Sequence, residues 1–131
     1  MIARTTVVIC LLAAVAETVL GCTSTAGLSR DDAAVILFVV GPYLLLGWLA
    51  WRQRGRRVVS WALLAVAAAL SAWGVAVFAV DSYRYHTEPQ YRLVQRVAVF
   101  FVPLLQWAVV ALAGLALLAG RSSTRRQNTA P

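Results

Sequence analysis

The chain has 131 residues, of which 61% are hydrophobic and 13% are charged; soluble globular domains average about 45–50% and about 25%. A soluble domain of this length cannot bury so many apolar side chains, so the composition excludes an ordinary water-soluble globule and indicates a protein surrounded by lipid. The formal net charge of +7 comes from arginines beside the apolar runs. Because these arginines form no continuous basic face, we expect no nucleic-acid partner.

Four apolar runs follow one another, at residues 5–22, 33–51, 58–80 and 97–119. Each approaches or exceeds the roughly 20 residues that a helix needs to cross a hydrocarbon core of about 30 Å. Helices are expected because in lipid every backbone polar group must be satisfied within its own segment. The sequence therefore predicts an all-α membrane protein, a compact bundle of four transmembrane helices with short loops, in one domain over residues 1–120. Residues 121–131 are polar and are predicted to form a disordered cytoplasmic tail.

The first run is the weakest of the four because it contains Glu17. Its few strongly apolar residues about balance the insertion cost of one ionised carboxylate. Helix one should therefore depend on its neighbours, on a neutral Glu17, or on being something other than a permanent helix. In line with the last option, the segment from Arg4 to Val19-Leu20-Gly21-Cys22 resembles the signal of bacterial lipoproteins.

That resemblance implies lipid attached to Cys22 and removal of residues 1–21. Glu17 departs from the pattern, because the apolar core of a signal is normally uncharged. We favour a permanent helix and keep an acylated envelope protein as an alternative. Cys10 and Cys22 lie on the same predicted helix, separated by about 18 Å along its axis, which excludes a disulfide between them.

The arginines predict the orientation of the helices. An amino terminus in the cytoplasm places eight arginines inside and four outside. The inner ones are Arg4, Arg52, Arg54, Arg56, Arg57, Arg121, Arg125 and Arg126, and the outer ones are Arg30, Arg84, Arg92 and Arg96. The positive-inside rule therefore predicts a multi-pass protein of the inner (plasma) membrane with both termini cytoplasmic.

Helical rise brings one hydrogen-bonding side chain of each predicted helix to a common level, about 10–14 Å below the outer boundary. These side chains belong to Glu17, Tyr43, Ser71 and Gln106. Pro42 and Pro103 lie at the same level, where a proline frees a backbone carbonyl and kinks its helix. We predict a polar layer in the outer half of the membrane, with helix kinks at the two prolines.

The polar layer has two interpretations. In one, Glu17 binds and releases protons near neutrality and marks an ion or substrate pathway, as intramembrane carboxylates often do. In the other, Tyr43, Ser71 and Gln106 hydrogen-bond a neutral Glu17 and hold the bundle together, each contact contributing about 0.6–2 kcal/mol. The second interpretation is favoured because polar contacts of this kind are common between membrane helices.

No motif for catalysis or metal binding stands out in the sequence. A phosphate-binding loop, a catalytic triad pattern and an HExxH motif are missing, and the grouping of Asp81, His86 and Glu88 lacks the tight spacing of zinc ligands. We predict no enzymatic activity, no catalytic residues, no metal and no cofactor.

The favoured function is that of a structural, accessory or partner-binding membrane protein, in contact with lipid and with itself or another membrane subunit. The alternative is a small proton-coupled transporter, dimeric because four helices enclose little volume. In size, helix count and a carboxylate in helix one (Ala16-Glu17), the chain is similar to the small multidrug resistance exporters. The long third loop departs from that family, so only Glu17 carries over as the residue that would exchange protons.

Overall fold

The computed structural model describes residues 1–22, 30–93 and 98–127, with side chains described over 1–22, 33–91 and 100–120. These residues form four α-helices, α1 (Ile2–Cys22), α2 (Arg30–Arg52), α3 (Arg57–Thr87) and α4 (Ala98–Gln127), and one 3-10 helix over Pro89–Leu93. No strand occurs within these described ranges. The prediction of an all-helical protein is therefore confirmed.

Each α-helix contains a segment that is long and apolar enough to cross a membrane. These segments are Ile2–Cys22, Ala33–Arg52, Arg57–Thr87 and Phe100–Gly120, with mean hydropathies between 2.1 and 2.3. In the most apolar 18-residue window of each segment only 22–33% of the residues are buried, so much of the apolar surface faces away from the bundle. An apolar outer surface of this extent is typical of helices surrounded by lipid, so the four helices indicate a multi-pass membrane protein.

The helices extend further than the apolar runs predicted. α3 continues to Thr87 instead of ending at residue 80, because Thr87 Oγ1 donates a hydrogen bond to the Tyr83 carbonyl at 2.9 Å and the Glu88 amide donates to the Arg84 carbonyl at 2.8 Å. Pro89 ends the helix, since a proline forces the preceding residue into extended backbone, and Glu88 has φ −112° and ψ 102°.

The last helix also differs from its predicted boundary. α4 continues to Gln127, so residues 121–127 of the predicted disordered tail are helical. Residues 128–131 of that tail lie outside the described residues. The connection over residues 23–29, between α1 and α2, lies outside them as well.

A tight turn joins α2 to α3 in the segment that contains Arg52, Arg54, Arg56 and Arg57. The amide of Arg56 donates to the Gln53 carbonyl at 2.9 Å, and Ser60 Oγ donates to the same carbonyl at 3.2 Å. Two of the arginines stack on tryptophans of α2, Arg52 over Trp48 at 5.1 Å and Arg54 over Trp51 at 5.2 Å. Cation–π contacts of this kind hold the guanidinium groups beside the apolar surface.

α1 packs against both α2 and α3, whereas α4 packs against α2 and α3 from another side. The face of α1 in the bundle carries small residues, among them Cys10, Ala13 and Ala14, which are nearly inaccessible. Small side chains let helix backbones approach closely in lipid. The helix that was predicted to be the weakest span is therefore packed between two others.

α4 docks on α2 at a break in the backbone hydrogen bonding of α2. Pro42 has no amide hydrogen, so the Phe38 carbonyl, four residues earlier, loses its helical donor. Trp107 of α4 replaces that donor, because its Nε1 donates to the Phe38 carbonyl at 3.0 Å. The indole fits because Gly41 has no side chain, and a Cβ at that position would overlap the ring.

Gly41→Ala should lower the free energy of unfolding by about 1–3 kcal/mol, because the new methyl group displaces Trp107 from the Phe38 carbonyl. The matched control is Gly47→Ala, also in α2, where a Cβ would meet Val7 Cγ2 at 3.8 Å and Cys10 Cβ at 3.9 Å, which are ordinary contacts. Both substitutions replace glycine with alanine inside a helix, so the change in helix propensity is the same in the two variants. Unfolding of the purified proteins in one detergent measures the difference, and equal stabilities would contradict the role of Trp107.

Candidate functional site

Glu17 lies on the packed face of α1. The buried residues of this helix are Ala3, Thr6, Cys10, Ala13, Ala14 and Glu17, and their three- and four-residue spacing defines one side of a helix. The Glu17 side chain is therefore directed into the bundle, where it is 0% exposed. A carboxyl in such a position requires hydrogen-bonding partners from the neighbouring helices.

Tyr43 of α2 is the first partner. Its hydroxyl donates a hydrogen bond to Glu17 Oε1 at 2.5 Å, and the Leu70 carbonyl of α3 lies 3.3 Å from the same hydroxyl as a second acceptor. Tyr43 is 1% exposed. It directly follows Pro42, so the residue that breaks the hydrogen bonding of α2 and the residue that reaches Glu17 are neighbours.

Gln106 of α4 is the second partner. Its Nε2 lies 3.1 Å from Glu17 Oε1 and 2.9 Å from the Tyr43 hydroxyl, and it donates one hydrogen bond to each. An amide nitrogen carries two hydrogens, so both are used. Glu17 Oε1 is therefore a shared acceptor for side chains of α2 and α4.

Gly74 of α3 makes room for these three side chains. A Cβ at this position would overlap Glu17 Oε1, and it would lie 2.5 Å from Gln106 Nε2 and 3.0 Å from the Tyr43 hydroxyl. Any residue larger than glycine would displace the hydrogen-bonded groups. We call Glu17, Tyr43, Gln106 and Gly74 the Glu17 cluster; one member comes from each of the four α-helices.

Acceptors outnumber donors around the Glu17 cluster. The Tyr43 hydroxyl and the Gln106 amide supply three hydrogens, and all three are used within the cluster. Glu17 Oε2, Gln106 Oε1 and the Ser71 hydroxyl oxygen are buried and have no hydrogen-bond partner in the described part of the chain. A buried acceptor without a partner typically costs about 1–3 kcal/mol. The cluster can therefore take up a further donor at Glu17 Oε2 or Gln106 Oε1.

Of the residues assigned to the polar layer from the sequence, Glu17, Tyr43 and Gln106 are in direct contact. Ser71 is buried on α3, one turn before Gly74, and its hydroxyl oxygen has no hydrogen-bond partner among the described residues. Pro42 and Pro103 are fully buried inside continuous helices, and the kinks expected there stay a prediction. Cys22 is the last residue of α1 and is partly buried; its lipidation likewise stays a prediction.

Two residues of this region have a role that the sequence did not indicate. Gly74 is one turn beyond Ser71, but a glycine within an apolar helix has no visible partner in the sequence. Trp107 directly follows Gln106 and resembles an ordinary apolar residue of the fourth run. The one available signal was the proline, because a residue at position 42 without an amide hydrogen implies a carbonyl at position 38 that needs another donor.

Near the carboxyl end of α3, two of the residues considered as metal ligands, Asp81 and His86, contact other groups. Asp81 is 3% exposed and accepts a hydrogen bond from the Tyr91 hydroxyl at 2.7 Å, and His86 Nδ1 lies 2.7 Å from the Ser82 carbonyl of its own helix. No group of three or more His, Cys, Asp or Glu residues suited to a metal ion occurs among the described residues.

Comparison of the chain with protein-family models, with curated proteins and with solved structures finds no match. The chemistry of the Glu17 cluster is therefore the basis for the function proposed below.

Gly74→Ala should destabilise the protein by at least about 1–3 kcal/mol, because the methyl group would displace all three polar side chains of the cluster. Gly114→Ala in α4 is the matched control, since a Cβ there meets nothing within 4 Å. Detergent unfolding compares the two variants. In a Glu17→Ala protein, which has no carboxyl to displace, Gly74→Ala should lower the free energy of unfolding by less. An equal loss in both proteins would contradict the contact between Gly74 and the Glu17 carboxyl.

Proposed function

We propose that the protein is a small multi-pass membrane protein without enzymatic activity, with a structural or accessory role exercised through lipid, a second copy or another membrane subunit. Four helices long and apolar enough to cross a membrane support its position in lipid. The observation that carries the proposal is the use of one buried oxygen, Glu17 Oε1, as the common acceptor for α2 and α4.

The hydrogen bonds that Tyr43 and Gln106 donate support a structural role for Glu17. Every hydrogen that Tyr43 and Gln106 offer is taken up within the cluster, and Gly74 packs against all three side chains. Hydrogen bonds between membrane helices contribute about 0.6–2 kcal/mol each. Three such bonds at one point stabilise one arrangement of the helices over others, which is what a subunit of defined shape needs.

A second candidate function, a proton-coupled transporter, is favoured by a different observation. Glu17 Oε2 and Gln106 Oε1 are buried acceptors without a partner in the described part of the chain, so the cluster has capacity for an exchangeable proton. Buried carboxyls within membrane spans often serve proton or ion pathways. In this alternative Glu17 exchanges the proton while Tyr43 and Gln106 hold its other oxygen in place.

The Glu17 cluster argues against the alternative of an envelope protein that carries lipid on Cys22. Modification of Cys22 with loss of residues 1–21 would remove Glu17 and with it the shared acceptor of Tyr43 and Gln106. Both donors would then be buried without their principal partner, at a cost of about 1–3 kcal/mol each.

Substitution of Glu17 separates the structural role from transport. Glu17→Gln keeps a carbonyl oxygen for both donors and should retain stability close to that of the wild type, whereas Glu17→Leu should lose about 1–3 kcal/mol by leaving Tyr43 and Gln106 without an acceptor. Unfolding in detergent measures both effects. The structural proposal also predicts that wild-type proteoliposomes show no proton flux when tetraphenylphosphonium is supplied as a lipophilic cation.

A proton flux in wild-type vesicles that disappears in Glu17→Gln, with equal protein incorporated, would reject the structural proposal and support the transporter. Gln106→Leu provides the matched control for the fold, because it removes a donor from Glu17 while leaving the carboxyl in place. It should lower stability by a similar amount to Glu17→Leu.

We also propose that both termini lie in the cytoplasm and that the protein resides in the inner (plasma) membrane, because arginines concentrate in the turn between α2 and α3 and beyond residue 120. A reporter phosphatase that is active only outside the cytoplasm should be inactive when inserted at Gly55 and active when inserted after Thr87. Replacing Arg52, Arg54, Arg56 and Arg57 with glutamine should produce mixed orientations. Activity at Gly55 in the unmodified chain would contradict this topology.

A further inference from the structure

A groove of about 220 Å³ runs between α1 and α2. On α2 it extends from Tyr43 to Trp51, which is about 12 Å along the helix axis. Gly47 lies in the middle of this stretch and has no side chain, so α2 leaves space beside Val7 of α1. The rim of the groove is formed by half-exposed apolar side chains, among them Leu11, Trp48 and Trp51.

The groove lies within one leaflet of the membrane. α2 ends at Arg52 in the arginine turn, which belongs at a membrane surface. Measured from Arg52 along the helix, Trp51 lies about 1.5 Å and Tyr43 about 14 Å into the membrane. One leaflet contributes about 15 Å to a hydrocarbon core about 30 Å thick. The groove therefore matches the depth of a single layer of acyl chains.

Two guanidinium groups lie at the end of the groove next to the membrane surface. Arg52 lies over the ring of Trp48 at 5.1 Å and Arg54 over the ring of Trp51 at 5.2 Å. Both tryptophans line the groove, and both arginines are exposed. The face of an indole ring attracts a cation through its electron density, so this stacking uses none of the N–H donors of the arginines.

We propose that this groove binds one acyl chain of a phospholipid whose headgroup is anionic and carries no ammonium, such as phosphatidylglycerol. The chain lies between α1 and α2, from Trp51 toward Tyr43. The guanidinium groups of Arg52 and Arg54 donate hydrogen bonds to the phosphate, since their planar donors match phosphate oxygens. This lipid is a partner for the accessory role in lipid proposed above, on which the assignment rests.

Charge selects this headgroup over the other occupants that an apolar groove could take. The ammonium of phosphatidylethanolamine or the choline of phosphatidylcholine would bring a positive charge beside two guanidinium groups, which repel it. A second copy of the chain in the same orientation would bring its own arginine turn to the same level, with the same repulsion. A soluble glycerol phosphate would contact the arginines and leave the apolar length of the groove unused.

The test measures binding of dioleoyl phosphatidylglycerol to the full chain in an uncharged detergent by native mass spectrometry, alongside the matching phosphatidylethanolamine, phosphatidylcholine and free glycerol phosphate. We expect phosphatidylglycerol to bind about tenfold or more tightly than the other three, because each comparison adds a repelled charge or removes the acyl chain. Equal binding of either zwitterionic lipid would overturn the role of the arginines. Equal binding of glycerol phosphate would overturn the assignment to an acyl chain.

Two pairs of arginines in the same turn locate the headgroup. Arg52→Gln combined with Arg54→Gln should weaken binding of phosphatidylglycerol about tenfold or more. Arg56→Gln combined with Arg57→Gln is the matched control, because it removes the same charge from exposed positions while the groove tryptophans keep their two guanidinium groups. This control should bind as the wild type does. Undiminished binding by the first pair, or equal losses in both pairs, would overturn the proposal.

Two neighbouring leucines of α1 locate the acyl chain. Leu11 lines the groove and is 50% exposed, whereas Leu12, the next residue, is 66% exposed and faces away from it. Leu11→Trp places a larger side chain in the groove and should weaken binding of phosphatidylglycerol severalfold, and Leu12→Trp should leave it unchanged. Both positions are exposed, so the substitutions should not disturb folding, which circular dichroism checks. Equal binding by the two variants would overturn the location of the chain.

These measurements and those on Glu17 have separate outcomes. Absence of a preference for phosphatidylglycerol would reject the lipid site and leave the stability and proton flux of Glu17→Gln as they are. A proton flux that depends on Glu17 would reject the structural proposal whether or not the groove binds lipid.

Discussion

Glu17 Oε1 accepts hydrogen bonds from α2 and α4 while lying against the backbone of α3, so this one oxygen of α1 is a contact point for all four helices. Lipid chains are as apolar as the side chains that they would replace, so burying apolar surface between helices gains little in a membrane. Polar contacts and close backbone packing therefore decide which helix faces meet. Because the shared acceptor belongs to α1, the span with the least favourable residue for insertion is also the one on which the other three converge.

Two consecutive residues position α4. Gln106 reaches the Glu17 cluster, and Trp107 supplies the donor that Pro42 removes from the Phe38 carbonyl. Consecutive residues differ by about 100° around a helix axis, so these two contacts together define both the rotation and the depth of α4. Each needs a glycine in another helix, Gly74 in α3 and Gly41 in α2, because neither position leaves space for a Cβ.

α3 connects the membrane interior with its surface. Its buried residues include Ser71, Gly74, Phe78 and Asp81, which recur every three or four positions and form one face. Gly74 and Asp81 are about 10 Å apart along that face. The same side of one helix therefore packs against the carboxyl in the membrane interior and, two turns further, carries the carboxylate that Tyr91 contacts. The rigid helix places these two groups at defined depths.

The sequence alone determined that the chain has four apolar runs long enough for membrane helices, and it predicted one level for their polar residues, because length, hydropathy and helical rise are properties of each segment by itself. It thus brought Glu17, Tyr43 and Gln106 to one level. Whether they touch depends on how each helix is rotated about its axis, and that rotation follows from contacts with the other helices. Only the tertiary structure therefore decided that these three meet, that Ser71 makes no hydrogen bond with them among the described residues, that Gly74 provides their space, and that Trp107 completes the hydrogen bonding at Pro42.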